Sequence, residues 1–240
     1  MRIIPHSQIV TENIKKSQGE PVIYKKLLSS QDIEKILDLE KECERVEKQN
    51  GVINYKYSKL GILEKFIEEK LKNQLGQFTR HGGSYVITPE PFHVHTDTGK
   101  DDEMKDQRFP YKNILIPLMS SSEKAPLYTI IFKQRNFGQA AHFWRGEKFS
   151  DKKPTYNFKV TNYSDLEHFT DKGFDPDIHK KHLAHLPIES LYGLSIDQII
   201  HWNVGDVVVF DCSSLHASNN FREYNIKKHG LTYFSSRDIK

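Results

Sequence analysis

Cysteine is nearly missing from this sequence: Cys43 and Cys212 are the only two among 240 residues. Cys43 falls in a charged helical pattern and Cys212 just after a strand pattern, and neither has a Cys-x-x-Cys partner. That argues against a disulfide and against a thiolate zinc site. Long apolar runs are also missing. No stretch approaches the 18 residues of a membrane span, and the opening MRIIPHSQIV is too short and polar for a signal peptide, so a cytoplasmic setting is expected. Nor does one sign of charge dominate. Lysine and arginine number 35 against 32 acidic residues, a net charge of +3 with no face-long basic stripe, which makes nucleic acid a poor partner. What is present, 37% hydrophobic and 11% aromatic residues, suits a folded chain long enough for one sizeable core.

Two regions differ in pattern. Residues 1–80 read mostly as helix, a support region packed on the core. Ser30 is a candidate N-cap for a helix running to Gly51, with Ile36, Leu39, Cys43 and Val46 at helical spacing. A second helix is expected from about Leu60 to Gly76, on Leu63, Phe66, Ile67 and Leu71. From Gly82 the chain turns to short strands: GGSYVITP, NILIPLM, LYTIIFKQ, DVVVFD and GLTYFSS, rich in β-branched and aromatic residues. Between them, about 136–202, lies an irregular insertion with helical-looking pieces such as SIDQIIHW, expected to cover one mouth of a β-barrel or sandwich. Residues 81–240 are then a mainly β core.

The chemistry-bearing stretch is PFHVHTDTGK, residues 91–100. On an extended chain, side chains two apart share a face, so His95 and Asp97 can grip one ion, with His93 on the same side. A third ligand comes near the other end, in GDVVVFDCSSLHASNNF, where His216 follows a strand pattern. Two neutral imidazoles and one carboxylate can occupy one face of an octahedral iron(II), leaving three adjacent positions open for oxygen chemistry. Twelve residues further on, Lys228 and Thr232 alternate on the last strand and offer an ammonium and a hydroxyl to a distant carboxylate.

The order HTD, a long gap, GDVVVFDCSSLHASNNF and then KHGLT resembles the iron(II)/2-oxoglutarate-dependent dioxygenases, including their prolyl-hydroxylase-like and phytanoyl-hydroxylase-like members. The resemblance covers roughly residues 80–237. It implies a double-stranded β-helix, a jelly-roll or cupin-like fold with an N-terminal helical layer. It implies His95, Asp97 and His216 as ligands of Fe(II), and 2-oxoglutarate and O2 as co-substrates. Lys228 falls where the family places a basic residue against the 5-carboxylate, commonly arginine, and Thr232 matches a helper hydroxyl. Lys227 is the alternative to Lys228 if the register slips by one. Tyr85, ten residues before His95, matches a tyrosine that contacts the co-substrate, and Asn113 is a further candidate for that pocket. The implied reaction hydroxylates a C–H bond of a small molecule or a protein side chain, with release of succinate and CO2.

Other readings have less behind them. HVHTD is similar to the zinc motif of metallo-β-lactamase-like hydrolases, but Thr98 stands where that motif needs a histidine. Ser213 and Ser214 lie in no Gly-x-Ser-x-Gly elbow. A non-catalytic jelly-roll module that only holds a metal or ligand is the alternative from a different class; an intact triad beside a co-substrate lysine argues against it. His142, His168, His179, His182, His185 and His201 lie in the insertion and read as structural or surface residues. Phe143, Trp144, Arg145, Tyr156, Phe158 and Tyr192 are the insertion's candidates for substrate contact or lid packing.

Overall fold

A computed structural model describes residues 4–41, 44–47, 53–56, 61–99, 107–120, 126–144, 159–160 and 163–239. Three helices lie in the first third: α1 (Gln8–Lys16), α2 (Ser30–Lys41) and α3 (Gly61–Leu75). Three short strands are interleaved with them, β1 (Val22–Tyr24), β2 (Glu44–Glu47) and β3 (Ile53–Lys56). The long strands β4 (Thr79–Thr88), β5 (Arg108–Ser120) and β6 (Tyr128–Arg135) come next, then the two-residue β7 (His142–Phe143) and β8 (Lys159–Val160). The chain ends in β9 (Ile196–His201), β10 (Val207–Asp211), β11 (Ser214–Ser218) and β12 (Lys228–Asp238).

The larger sheet has the antiparallel order β1-β10-β5-β12-β4-β3-β2, and the smaller one the order β11-β6-β9. Ile131 and Ile200 of the smaller sheet pack on Val208 and Phe210 of the larger one, so the two sheets face each other. This is a jelly roll.

Period-two alternation separates the two faces of the larger sheet. Ile114 and Ile116 of β5, Val207 and Val209 of β10, and Leu231 and Tyr233 of β12 point outward. There they meet Ile33, Ile36, Ile67 and Leu71 of the helices in one core cluster. The residues between them, Asn113, Phe210, Lys228 and Thr232 among them, therefore point into the roll. The described part of the insertion also packs outward. Phe143, Tyr163, Leu183 and Leu191 cover Val94, Ile130, Phe132 and Leu215 on the back of the smaller sheet.

Three expectations change. The helix begun at Ser30 ends at Lys41, and Glu44–Glu47 pairs with Ile53–Lys56 as a hairpin added to β4. Val46 sits in that hairpin, while Cys43 lies outside the described residues. The exposed edge of β4 supplies backbone partners here, and strand pairing outweighs a weak local helix preference. The first 80 residues thus contribute strands as well as helices. SIDQIIHW is not helical: Ile196–His201 is an edge strand on β6, as its three isoleucines favour. The described residues of the insertion place their apolar side chains on the back of the smaller sheet, where they match the outward side chains.

Leu71 is 1% exposed within the helix-to-sheet cluster. Leu71→Ala is expected to destabilise the fold by about 2–5 kcal/mol, through lost burial plus a cavity. The urea midpoint should fall while the slope of the transition stays unchanged.

Candidate metal centre

The stretch around His95 runs as an irregular strand between β7 and β11. The His95 amide donates to the His216 carbonyl and the His216 amide to the His95 carbonyl, both at 3.0 Å. On its other side Phe143 N–H donates to Val94 O, and Thr96 N–H to Ala141 O. Alternation then buries Val94 and Thr96 and sends His95 and Asp97 into the roll. Asp97 is fixed at its amide, which donates to Cys212 O at 3.3 Å.

These constraints bring His95, Asp97 and His216 together, with one ligand atom from each lying within 4.8 Å of the others. The imidazole centroids are 4.1 Å apart. Asp97 Oδ2 stands 3.2 Å from His216 Nε2, and Oδ1 stands 3.8 Å from His95 Nε2. Neighbouring ligands held about 2.1 Å from an ion in octahedral geometry are about 3 Å apart, so small side-chain shifts let these three converge on one. The Nδ1 atoms face backbone oxygens: His95 Nδ1 is 2.7 Å from His93 O, and His216 Nδ1 is 3.1 Å from Ser214 O. A carbonyl only accepts, so neutral rings carry the proton on Nδ1 and turn the Nε2 lone pairs to the centre.

The charges agree with that assignment. Burial, reinforced by the nearby His216, lowers the His95 pKa to about 3. Burial acts to raise the Asp97 carboxyl, but the imidazoles of His216 and His95 outweigh it and keep the pKa below the usual carboxylate value. At neutral pH the group therefore presents a carboxylate and an uncharged His95, both in the form a divalent ion takes. Because His95 is neutral, its 3.8 Å approach to Asp97 reflects ligand spacing rather than an ion pair.

Lys228 is buried inside the roll, its Nζ 3.8 Å from the centroid of the Trp202 ring and donating to Ser218 Oγ at 3.3 Å. Ser218 lies two residues beyond His216 on β11 and shares its face. A Cβ on Gly230 would stand 2.7 Å from the Trp202 ring, so a glycine there lets the ring lie across the strand. Burial lowers the Lys228 pKa to about 7. Thr232 falls on the same inward face. Lys227 is exposed, so the interior lysine is Lys228.

The other two expected site residues part company. Asn113 points inward and donates from Nδ2 to Asp97 Oδ2 at 2.5 Å, so it meets a candidate metal ligand. Tyr85 does not join the group. It is 1% exposed among outward-facing core residues, packed with Ile67, Leu71 and Tyr233 under the helices. Its neighbour Ser84, opposite Thr232, holds the inward position instead.

More histidines surround the triad than motif spacing shows. His142 pairs with His95 across the strands and stacks on it, centroids 5.6 Å apart and planes at 22°. His93 meets Trp144 edge-on at 5.0 Å and stacks on His185 at 6.4 Å. Burial lowers the pKa values of His81 and His142 to about 4 and that of His185 to about 3. Sequence spacing picks out His93 but misses His81, His142 and His185, which only strand pairing and the packed insertion bring near. His168 and His201 are exposed, as expected of surface residues. Of the insertion's candidates, Phe143 and Trp144 are buried, Tyr192 is 38% exposed, and Arg145, Tyr156 and Phe158 lie outside the described residues.

No model of a known family matches the sequence, and no curated protein matches it either. Solved structures do match. The non-heme alpha ketoglutarate dependent epimerase SnoN from nogalamycin biosynthesis is 9% identical with a TM-score of 0.50, covering 95% of this chain and 82% of its own. HygX from Streptomyces hygroscopicus, with nickel and 2-oxoglutarate bound, is 12% identical with a TM-score of 0.48, covering 95% and 86%. EvdO2 from Micromonospora carbonacea var. aurantiaca is 11% identical with a TM-score of 0.41, covering 100% and 96%. What the SnoN likeness shows is the fold.

Histidines whose folded pKa lies below the unfolded value make the unfolded chain the better proton acceptor between about pH 6.5 and 4. The contribution of these histidines to the stability of the metal-free protein is therefore expected to be full above about pH 6.5. It should fall on acidification by up to about 1.4 kcal/mol per pH unit for each of His81, His95, His142 and His185. Urea unfolding at pH 7, 6 and 5 checks this; a midpoint independent of pH would contradict it.

Proposed function

We propose that the protein is an iron(II)- and 2-oxoglutarate-dependent oxygenase that oxidises a C–H bond, in the first instance of a small molecule, by hydroxylation. The observation that carries this reading is the convergence of two histidines and one aspartate inside a jelly roll, with the Nδ1 atoms of both histidines at main-chain carbonyls. That donor set suits iron(II) with open positions, whereas zinc hydrolase sites are commonly tetrahedral. The iron–keto acid pair, when bound, supplies the oxidising chemistry and releases succinate and CO2.

This chain's own residues have separate tasks. His95, Asp97 and His216 would hold the metal. Lys228 would hold the far carboxylate of 2-oxoglutarate, with Thr232 beside it on the same strand face. Moving its pKa from 10.5 to about 7 corresponds to roughly 5 kcal/mol of disfavoured charge. One hydroxyl acceptor, Ser218, returns about 1 kcal/mol, and the Trp202 ring face about 2 kcal/mol. A carboxylate arriving beside the ammonium would offset that cost, which is the argument for an anion subsite. The outward position of Tyr85 removes the residue on which the prolyl-hydroxylase-like variant of the resemblance rested. SnoN, described as an epimerase, shows that this fold also hosts other outcomes.

Anaerobic titration of metal-free protein with iron(II) and 2-oxoglutarate tests the reading. A weak visible charge-transfer band is expected, and His216→Ala and Asp97→Ala should abolish it. Bound metal without a band would favour the non-catalytic module. Lys228→Met should raise the 2-oxoglutarate dissociation constant while leaving the metal affinity alone. In the unaltered protein, 2-oxoglutarate should bind up to about tenfold more weakly per pH unit above about pH 7, where the free lysine loses its proton. A flat profile from pH 6 to 9 would remove Lys228 from that role.

A further inference from the structure

We infer that Asn113 is the positioning residue of Asp97: its amide N–H engages one carboxylate oxygen and so restricts Asp97 to a single ligating oxygen. The inference rests on the metal-binding reading above, but not on 2-oxoglutarate as co-substrate.

Asn113 is 1% exposed at the centre of the larger sheet, where its cross-strand neighbours are Phe210 on one side and Phe234 on the other. A primary amide in an apolar row costs free energy unless its hydrogen bonds are used. Its Nδ2 uses one, to Asp97 Oδ2 at 2.5 Å. The amide cannot be turned the other way, because an ionised carboxylate only accepts and needs the N–H. The Asn113 carbonyl oxygen is buried and has no hydrogen-bond partner among the described residues. It therefore stands one amide width from the ligand as a spare acceptor, suited to a water or hydroxyl donor at the metal.

The backbone around Asn113 is built to keep it there. Lys112 and Asp211 lie opposite each other in the register and form a buried ion pair. Lys112 also donates to Ser17 O at the end of α1, and Asp211 accepts from Gly19 N–H. The next residue after each member of this pair, Asn113 and Cys212, holds Asp97, one by its side chain and one by its carbonyl. Asp97 is thus clamped at both ends. A carboxylate free to rotate can chelate through both oxygens and take a further coordination position; a carboxylate with Oδ2 engaged gives the metal Oδ1 and leaves three positions open.

Cobalt(II) titration of metal-free protein, read by visible absorption, tests this without substrate or turnover. Asn113→Leu keeps the shape and removes the donor. Cobalt(II) should bind it about 10–100-fold more weakly, and the intensity of the visible band should change with the altered coordination number. Asn113→Ala, which adds no bulk, carries the same expectation should the leucine variant fold poorly. Variants that bind cobalt(II) within about twofold of the unaltered protein, with the same band, overturn the inference and leave the metal reading standing. If the unaltered protein binds no cobalt(II), the metal reading fails and the inference with it.

Discussion

The pair of main-chain hydrogen bonds between His95 and His216 is the constraint on which the site depends. It sets two strands from opposite ends of the sequence side by side and in register, with both imidazoles on one face. Without it the two ligands would be 121 positions apart in a chain of 240, with no local reason to meet. The cross-strand distance fixes the ring separation, and Asp97 comes next as the inward residue after His95. Even the neighbouring histidine obeys the same rule: His142 stacks on His95 because the next strand pairs there.

The helices contribute to the chemistry by what they absorb. Isoleucine, leucine and valine on alternate strand positions are taken up under α2 and α3, so the interior of the roll need not supply the whole hydrophobic stabilisation. That releases inward positions for Asn113, Lys228, Thr232 and the imidazoles. The outcome is a site where burial keeps His95 neutral and brings a lysine close to its titration point, while neighbouring groups hold the Asp97 carboxylate ionised against burial. The directions at His95 and Asp97 favour a cation beside Asp97, whereas burial of Lys228 disfavours its ammonium.

Much of this was legible in the sequence where chemistry and period two coincide. HVHTD and the later SLHAS announce inward ligands by alternation, and Lys228 and Thr232 do the same on the final strand. The same rule, applied to Tyr85, points outward once the register is known; a family resemblance carried by spacing alone could not see which face the strand presents. SIDQIIHW and the segment 44–56 lack a decisive local period, and their conformation comes from edges of sheets that exist only after folding. The histidines around the triad were invisible for a related reason. His81, His142 and His185 come from three segments, and no spacing rule joins them. Asn113 was placed near the co-substrate by resemblance, whereas its contact with Asp97 needs the strand crossing to be seen.

His95 and His216 are oriented by carbonyls of their own chain, each belonging to the residue two positions earlier. A backbone oxygen is present whatever amino acid occupies that position. Evolution can therefore exchange His93, Ser214 and most of what surrounds them without losing the tautomer that turns Nε2 inward. A pair of imidazoles supported in this way is indifferent to drift in its neighbours, just as a chain 9% identical to SnoN keeps the same roll while little else in the two sequences is shared.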